Sequence, residues 1–331
     1  MLFGAYNCRI ADPGCGTQVS SPPMARQRLA TVTSEFGSSK RESHDSSPFY
    51  ERFGAPVISK DERVETPVLV DQLFVGDARE MTAGQVADRS VALVVTSPPY
   101  FAGKEYENDL AEGHVPASYA EYLAMLTDVL AVSLHKLEPG GRMAVNVANL
   151  GRKPYRSLSA DVTSILQDDL GMLMRGEVIW QKAKGAAGSC AWGSYKSPQN
   201  PVLRDITERV IIASKGRFDR ALKRPRREKL GLPHIPTIET EEFLEATIDV
   251  WEIPSESATK VGHPAPFPVA LPRRLIELYT YQGDLVLDPF LGSGSTAVAA
   301  VETARHYVGF DTEAEYVALA RSRIEAAGAV D

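Results

Sequence analysis

The clearest chemical signal in the sequence is a short loop, Thr96-Ser97-Pro98-Pro99-Tyr100, which follows an apolar run. The two prolines make this loop rigid, because each ring fixes its own φ angle. The Ser97 hydroxyl and the Pro98 carbonyl are two hydrogen-bond acceptors beside the aromatic face of Tyr100. Two acceptors and a stacking plane suit a flat base that carries an exocyclic amine. A proline turn with a packed tyrosine is the structural alternative.

A second signal is a glycine-containing turn between a predicted strand and a predicted helix. Leu285-Val-Leu287 runs into Asp288-Pro-Phe-Leu-Gly-Ser-Gly-Ser-Thr296. Gly292 and Gly294 let the backbone approach a ligand, and the free N–H groups at the helix start offer hydrogen bonds. Asp311 lies 19 residues after Gly292, at the end of the next predicted strand, where a carboxylate can accept from two ribose hydroxyls. The turn therefore predicts a nucleotide-like ligand.

The same turn fits the G-x-G-x-x-A pattern of NAD-dependent dehydrogenases through Gly292, Gly294 and Ala297. A dehydrogenase needs several strands after this motif, whereas the sequence predicts only one further strand and one further helix. The missing strands must lie upstream, so the position of the motif disfavours a dehydrogenase.

The elements that hold these loops alternate between strands and helices, which is typical of an α/β fold. The apolar runs predict strands at 68–75, 91–95, 143–147, 177–180, 209–213, 285–287 and 307–310. Helices are predicted to follow Ser118 and Thr312, each with a Glu three residues later in the capping-box spacing, and to cover 271–280 and 295–303. Pro139-Gly-Gly141 is expected to end the first helix.

Composition excludes several classes of protein. The 331 residues are 44% hydrophobic, enough for a core, but no run approaches the roughly 20 apolar residues of a membrane span. A net charge of −7 excludes a uniformly basic nucleic-acid coat and allows a single basic groove. Cys8, Cys15 and Cys190 are scattered, so neither a disulfide framework nor a metal site is predicted. The sequence lacks a signal-peptide pattern, and we expect a cytoplasmic location.

The two loops and their order resemble those of S-adenosylmethionine-dependent DNA amino-methyltransferases of the permuted β class, in which the catalytic loop comes first. The resemblance covers about residues 67–327 and includes Phe74-Val-Gly-Asp77, Leu137-Glu-Pro-Gly-Gly141, Trp180-Gln-Lys182, Ser197-Pro-Gln-Asn-Pro201 and Gly262-His-Pro-Ala-Pro-Phe-Pro268. It implies a Rossmann-like class I methyltransferase with a mixed, mostly parallel seven-stranded sheet, a circularly permuted motif order and a small target-recognition region.

The resemblance and the composition together divide the chain into four parts. Residues 1–65, rich in Ser, Thr, Pro and Gly, are expected to be a flexible N-terminal extension. The catalytic half of the methyltransferase domain is assigned to 66–182 and the cofactor-binding half to 256–331. Residues 183–255 between them are expected to recognise the target and contact DNA.

Family roles follow for the residues that match. The catalytic loop would consist of Ser97, Pro98, Pro99 and Tyr100. The residues implied in binding S-adenosylmethionine are Asp77, Thr96, His263, Pro264, Phe267, Asp288, Pro289, Phe290, Gly292, Ser293, Gly294, Ser295, Thr296 and Asp311. Asp77 would accept from the adenine amine and Asp311 would hold the ribose, whereas His263 is equally consistent with a capping or core role.

The chemistry of the amine indicates the mechanism. Its lone pair is delocalised into the ring, and hydrogen bonds to Ser97 and Pro98 would favour a pyramidal nitrogen that attacks the sulfonium methyl in line. No covalent intermediate is needed, and the sequence lacks the Pro-Cys nucleophile of C5-cytosine methylation. The base must leave the duplex, after which Tyr100 would stack on it.

The first residue of the loop indicates the base. Ser97 within T-S-P-P-Y resembles the N4-cytosine members, as does Ala265-Pro-Phe-Pro268, whereas Asp or Asn at the first position is usual for adenine. We therefore expect N4-cytosine methylation, with N6-adenine as the alternative. An RNA or protein-amide methyltransferase generally has N-P-P-Y with the cofactor motif first. An inactive DNA-binding relative is disfavoured because both loops keep their chemistry.

A basic stretch at 215–229 has eight basic residues against two acidic ones. In a protein that acts on duplex DNA, such a stretch is expected to contact phosphates, although a solvated surface is the ordinary alternative. The predicted contacts are Lys215, Arg217, Arg220, Lys223, Arg224, Arg226 and Arg227, with Lys182, Lys184 and Lys196 extending the positive surface. Besides double-stranded DNA, the resemblance allows a cognate restriction endonuclease and a homodimer as partners.

Overall fold

One mixed β-sheet with helices on both faces organises the protein. A computed structural model describes residues 56–99, 118–149, 155–182, 193–203, 206–256 and 267–329, all within one compact unit. The strands are β1 Gln72–Val75, β2 Val91–Thr96, β3 Leu137–Val147, β4 Leu173–Gln181, β5 Thr207–Ser214, β6 Val250–Glu252, β7 Leu285–Asp288 and β8 His306–Asp311. They lie in the order β1-β8-β7-β2-β3-β5-β4-β6.

Every strand except β5 runs in the same direction. The α/β class and the mostly parallel sheet are therefore confirmed, but the sheet has eight strands where seven were expected. The additional strand is β6, a three-residue edge strand that pairs with the end of β4. Its apolar pattern is too short for prediction, and together with β5 it shows that the 183–255 stretch also builds the sheet.

The described residues form seven helices besides the sheet. They are α1 Tyr119–Lys136, α2 Leu158–Ser164, α3 Arg224–Lys229, α4 Thr240–Ala246, α5 Ala270–Tyr279, α6 Ser295–Glu302 and α7 Ala314–Gly328. A π-helical turn, Ile165–Asp169, continues α2, and a 3₁₀ turn, Ala78–Glu80, follows β1. None of the helices in the described ranges has the length and apolarity that crossing a membrane requires.

The helix boundaries differ in their agreement with the sequence patterns. Ser118 caps α1 as predicted, since its hydroxyl accepts from the Glu121 N–H at 3.2 Å. The capping box predicted at Thr312 is wrong, because α7 begins at Ala314 and the Glu313 N–H donates to Asp311 Oδ1 at 3.0 Å instead. α1 ends at Lys136, before the Pro-Gly-Gly sequence, because Leu137 already pairs with β2.

The core lies on both faces of the sheet, and β2 contributes to each. On one face, Val94 packs with Leu126 of α1 in what we call the first core cluster. On the other face, Leu93 and Val95 pack with α5 in the second core cluster. A strand buried on both faces reads as a continuous apolar run rather than an alternating one, as 91–95 does. Because nearly all strands are parallel, β2 and β7 end on the same side of the sheet. We call the side where these strands end the carboxyl edge, and the side where they start the amino edge.

A cluster of buried charges closes the amino edge. Arg227, only 1% exposed, donates to Glu138 at 3.1 Å and to Asp284 at 2.9 Å, and Arg220 pairs with the same two carboxylates. Glu138 lies at the start of β3, and Asp284 directly precedes β7. Burial opposes the ionisation of Glu138, but the charges and hydrogen bonds of the two arginines outweigh it and lower its pKa. The cluster anchors the 215–229 stretch to the sheet.

Gly140 in the predicted helix-ending sequence makes this anchoring sterically feasible. Its φ is +80°, and a Cβ there would lie 1.9 Å from the Asp219 carbonyl oxygen. Such a distance is far below any van der Waals contact, so only glycine lets the basic stretch pass this close to β3.

Replacing Arg227 by Ala should leave two buried carboxylates with a single guanidinium between them. We expect the free energy of unfolding to fall by about 3–5 kcal/mol, because breaking a buried pair leaves an uncompensated charge. Urea denaturation at pH 7 measures this loss. Arg226→Ala is the matched control, because the Arg226 side chain is 60% exposed and its pair with Glu62 should contribute only about 0–1 kcal/mol. Equal losses in both variants would contradict a stabilising role for the cluster.

Candidate active site

A buried carboxylate joins the two predicted loops at the carboxyl edge. Asp288, at the end of β7, accepts from the Thr96 hydroxyl and from the Thr296 hydroxyl, each at 2.7 Å. The Phe290 N–H also donates to it, at 3.1 Å. The side chains of Thr96, Asp288 and Thr296 are almost fully buried and bonded to one another. These hydrogen bonds hold the catalytic loop against the glycine turn, and the predicted contact of the three residues with a cofactor stays a prediction.

The same hydrogen bonds set the ionisation of Asp288. Burial raises its pKa to about 6, although the hydroxyls of Thr296 and Thr96 and the N–H of Phe290 favour the charged form. The nearby Asp311 carboxylate raises the pKa of Asp288 further. The junction between the loops is therefore a carboxyl group that titrates close to neutral pH.

The glycine turn has the left-handed backbone that its sequence requires. Gly292 and Gly294 have φ angles of +51° and +79°. A Cβ on Gly294 would lie 2.6 Å from the Ala320 Cβ, so this glycine also lets α7 pack against the turn. α6 begins at Ser295, directly after the turn, with its first N–H groups facing the carboxyl edge. This arrangement matches the geometry that the sequence predicts for a ligand site.

Arg323 of α7 supports the turn in a way that sequence analysis missed. Its guanidinium donates to the Ser293 carbonyl at 2.7 Å, to the Ser293 hydroxyl at 2.8 Å and to the Ser295 hydroxyl at 3.3 Å. The two hydroxyls predicted to contact a cofactor are thus buried and bonded within the protein. No local pattern connects an arginine on the last helix to a turn near residue 293.

Asp311 lies at the end of β8, where the sequence places it. It accepts from the Gly292 N–H at 2.7 Å through Oδ2 and from the Glu313 N–H at 3.0 Å through Oδ1. Burial raises its pKa, although both N–H groups favour the charged form. Each carboxylate oxygen has a further lone pair, so Asp311 can still accept two hydrogen bonds, which is what a pair of ribose hydroxyls offers.

A cavity of about 350 Å³ lies at the carboxyl ends of the paired strands β1 and β8, where Val75 lies opposite Asp311 in the pairing. It is lined by Phe74, Val75, Gly76, Asp77, Glu80, Thr82, Gln85 and Phe310. The rings of Phe74 and Phe310 stack with centroids 5.0 Å apart, and the Gly76 N–H donates to the Asp311 carbonyl at 2.8 Å. The volume lies within the usual range for small-molecule sites. An aromatic wall next to a ribose-type carboxylate fits an adenosyl group.

Asp77 faces this cavity but already has partners. Its carboxylate accepts from the Arg79 N–H at 2.8 Å and from the Arg79 guanidinium at 2.9 Å. The predicted contact with an adenine amine therefore has to be shared with Arg79. Glu80, Thr82 and Gln85 also line the cavity and were missed, although they directly follow the Phe74-Val-Gly-Asp77 motif.

The remaining predicted cofactor residues have different environments. Pro289 is buried, and Phe290 packs against the first core cluster. Phe267 belongs to the second core cluster, together with Leu271 and Leu275. Tyr100, His263 and Pro264 lie outside the described residues.

The catalytic loop begins on the face of the sheet that carries the second core cluster. Ser97 is half-buried and Pro98 is buried. Ser97 Oγ accepts from Asn146 Nδ2 at 3.4 Å, and the same amide nitrogen donates to Glu208 Oε2 at 2.5 Å. Lys182 forms an ion pair with Glu208, so Glu208 offsets the charge that Lys182 was predicted to add to the positive surface. Asn146 and Glu208 were missed, because a polar residue within or beside an apolar strand pattern does not by itself indicate a role.

The basic stretch lies at the amino edge, away from this loop. Ser214 at the end of β5 pairs with Arg142 near the start of β3, because β5 runs antiparallel to its neighbours. Lys215 then donates to the carbonyls of His135 and Leu137, and burial lowers its pKa to about 8. The six-residue β2 alone separates the two edges by about 20 Å. The stretch is therefore remote from the catalytic loop, and its predicted contact with DNA phosphates stays a prediction.

The seven predicted DNA contacts have the following individual environments. Arg220 and Arg227 are in the buried cluster, so they are not available to phosphates. Arg217 lies 3.6 Å from Asp219, and Arg226 pairs with Glu62. Lys223 and Arg224 are exposed at the amino edge together with Arg226.

The sheet order and the two joined loops define a Rossmann-like α/β protein with a nucleotide-type site. A family model for DNA methylases of the N6/N4 type matches residues 91–322. Because this match spans more than half of the chain, the protein belongs to that family and is a DNA methyltransferase. The family match confirms the resemblance predicted from the sequence, but it does not decide between cytosine and adenine as the target base.

Individual relatives agree with this assignment. The type II methyltransferase M.BglI of Bacillus subtilis is 29% identical over 307 residues, which cover 76% of this chain and 84% of the relative. M.ScaI of Streptomyces caespitosus is 28% identical over 265 residues, covering 77% and 81%.

Solved structures show the same fold. A protein of Thermus thermophilus assigned as a DNA modification methylase, solved in complex with S-adenosyl-L-methionine, is 28% identical with a TM-score of 0.60, covering 78% of this chain and 95% of that one. The cytosine-N4-specific PvuII DNA methyltransferase is 22% identical with a TM-score of 0.58, covering 78% and 89%, and supports the fold alone.

The raised pKa of Asp288 predicts a pH-dependent stability. A folded-state pKa above the unfolded value near 3.8 means that folding is favoured most when the group is protonated, below about pH 4. This contribution is lost as the pH rises through about 6. Relative to Asp288→Asn, the natural protein should lose on the order of 3 kcal/mol of unfolding free energy between pH 4 and pH 7.

Urea denaturation of both proteins across this range measures the difference. Asp169→Asn, on the exposed end of the α2 region, controls for the substitution itself and should follow the natural protein. A difference between the natural protein and Asp288→Asn that does not change with pH would contradict the assigned ionisation.

Proposed function

We propose that the protein transfers the methyl group of S-adenosylmethionine to the N4 amine of cytosine in a specific sequence of duplex DNA. The observation that carries this proposal is the bond between Thr96 and Asp288, which holds the Ser97-Pro98 acceptors beside the glycine turn and Asp311. N6-adenine methylation is the second candidate, because two acceptors can serve an exocyclic amine on either base. Ser97 at the first position of the loop favours cytosine.

The residues described at the carboxyl edge fit the methyl donor. Asp311 would hold its ribose, the cavity lined by Phe74 and Phe310 would hold its adenine, and the Gly292–Gly294 turn would pass close to it. When bound, the sulfonium supplies an electrophilic methyl group. The S-adenosyl-L-methionine complex of the T. thermophilus relative supports this assignment.

The loop residues prepare the amine without forming a covalent bond to it. Ser97 Oγ and the Pro98 carbonyl accept hydrogen bonds from the two amine protons, which favours a pyramidal nitrogen with its lone pair directed away from the ring. The rigid prolines keep the acceptors in place, so little conformational freedom is lost in the reaction. The base has to leave the duplex to reach this loop, and the stacking role of Tyr100 stays a prediction.

Target recognition is assigned within 183–255 to the connection between β4 and β5. Both the end of β4 and the start of β5 lie at the carboxyl edge, so this connection begins and ends beside Ser97. Its described part is an internally hydrogen-bonded turn in which Tyr195 is 66% exposed and Lys196 lies over the Tyr195 ring. An exposed aromatic ring and a cation suit contacts with bases and phosphates. A cognate restriction endonuclease and a second copy of the chain are proposed partners.

Replacing Ser97 by Ala should slow methyl transfer by about 100-fold or more, because one acceptor for the amine is lost. Affinity for S-adenosylmethionine should be retained. Sequencing of DNA from cells that express the protein, by a method that separates N4-methylcytosine from N6-methyladenine, tests the reaction. N4-methylcytosine in one fixed motif, absent with Ser97→Ala and present with the exposed control Ser164→Ala, is expected. Methylated adenine would overturn the base assignment, and unmodified DNA would overturn the proposal.

Replacing Asp311 by Asn should weaken S-adenosylmethionine binding by about 10-fold or more. The amide presents an N–H donor toward either the Gly292 or the Glu313 N–H and loses acceptor capacity for the ribose. Isothermal titration calorimetry measures the affinity. Asp71→Asn is the matched control, because Asp71 is exposed and pairs with His306 at the start of β8. Unchanged affinity in Asp311→Asn would exclude the ribose role.

A further inference from the structure

Four polar side chains form a row at the carboxyl edge, on the face of the second core cluster. They are Ser97 after β2, Asn146 of β3, Glu208 of β5 and Lys182 after β4. Each lies two residues along its strand from a buried apolar residue of that cluster: Val95, Ala144, Val210 and Trp180. Since side chains alternate between faces with a period of two, all four stand on the same side of the sheet.

The carboxylate of Glu208 determines the direction of the hydrogen bonds in this row. A carboxylate can only accept, so it must face the amide nitrogen of Asn146 rather than the amide oxygen. Asn146 Nδ2 donates to Glu208 Oε2 at 2.5 Å, and Lys182 Nζ pairs with the other carboxylate oxygen. The second N–H of the same amide is then directed at Ser97 Oγ, 3.4 Å away. Ser97 Oγ is consequently the acceptor in this contact.

We propose that Glu208, neutralised by Lys182, is a positioning residue that acts through Asn146 on Ser97. The inference rests on the proposed function, in which Ser97 Oγ accepts a hydrogen bond from the target amine. Asn146 donates into one lone pair of the hydroxyl oxygen and so fixes the direction of the remaining lone pair. Glu208 itself does not contact the base.

Burial makes this arrangement specific. The side chain of Glu208 is only 7% exposed and that of Lys182 is 32% exposed, so water competes little for the carboxylate. A buried ion pair adds little stability compared with apolar packing, and every strand here already supplies apolar residues to this face. The Lys182–Glu208 pair is therefore explained by the orientation that it gives to the Asn146 amide rather than by a gain in stability.

The test is a double-mutant cycle between Glu208 and Ser97. The rate of a single turnover is measured with tritiated S-adenosylmethionine and long unmethylated duplex DNA at saturating enzyme. Glu208→Gln should slow transfer by about 10- to 100-fold, because a neutral amide lets Asn146 turn over, while affinities for S-adenosylmethionine and DNA change by less than about twofold. In the Ser97→Ala background the same substitution should cost less than about twofold more.

Glu177→Gln is the matched control. Glu177 lies on β4 and pairs with Arg209 of β5 at 3.1 Å, so its replacement removes a more exposed ion pair from the same part of the sheet without touching Asn146. Its rate should equal that of the natural protein. If Ser97→Ala transfers too slowly to time, Asn146→Leu takes its place in the cycle with the same expectation.

Each outcome is decisive. A full rate for Glu208→Gln, or losses that add in the double variant, would overturn the positioning role. If Glu208→Gln does not fold, Lys182→Met/Glu208→Gln removes both charges together, and it should fold and transfer equally slowly; a full rate would overturn the proposal. A natural protein that binds S-adenosylmethionine but methylates no DNA would instead refute the proposed function itself.

Discussion

The hydrogen bonds to Asp288 are the interaction on which the rest of the site depends. This one carboxyl group accepts hydrogen bonds from a hydroxyl at the end of β2 and from a hydroxyl at the start of α6. The first of these bonds joins Thr96 to Asp288, which are 192 residues apart in the sequence. The connection holds the two loops side by side at the carboxyl edge. Burial makes the connection strong and also moves the pKa of the carboxyl to about 6.

Charges are buried at both edges of the sheet, with different consequences. At the amino edge, Arg220 and Arg227 between Glu138 and Asp284 attach a basic stretch to the starts of β3 and β7. At the carboxyl edge, the Lys182–Glu208 pair lies beside the catalytic loop and orients an amide rather than an element. The apolar middle of the sheet separates the two sets, so each edge can be specialised without electrostatic interference from the other.

Membership of the DNA methylase family does not identify the target base, because a small number of atoms around the amine determine which base fits. Ser97 Oγ and the Pro98 carbonyl accept from an amine, but they do not by themselves distinguish cytosine from adenine. In the proposed function, contacts in the β4–β5 connection would contribute to that discrimination. The ring of Tyr195 and the charge of Lys196 are the described side chains there that are suited to DNA.

The sequence by itself determined the parts of this protein that depend on local patterns. The T-S-P-P-Y loop, the D-P-F-L-G-S-G-S-T turn with Asp311, the α/β order and the Ser118 cap all follow from neighbouring residues, because turns, caps and strand runs are short-range features. These patterns were sufficient for the family and for most of the strands that carry the two loops.

Only the tertiary structure decided which distant groups meet. Arg220 and Arg227 look like surface cations in the sequence, yet both are buried and pair with Glu138 of β3 and with Asp284 just before β7. Asn146, Glu208 and Arg323 carry no local signal, because their roles depend on strand order and on the packing of α7. The eighth strand, three residues long, likewise exists only because β4 offers it an edge. The role of each of these charged residues, and of the short strand, depends on the groups that lie next to it, and the tertiary fold determines which groups those are.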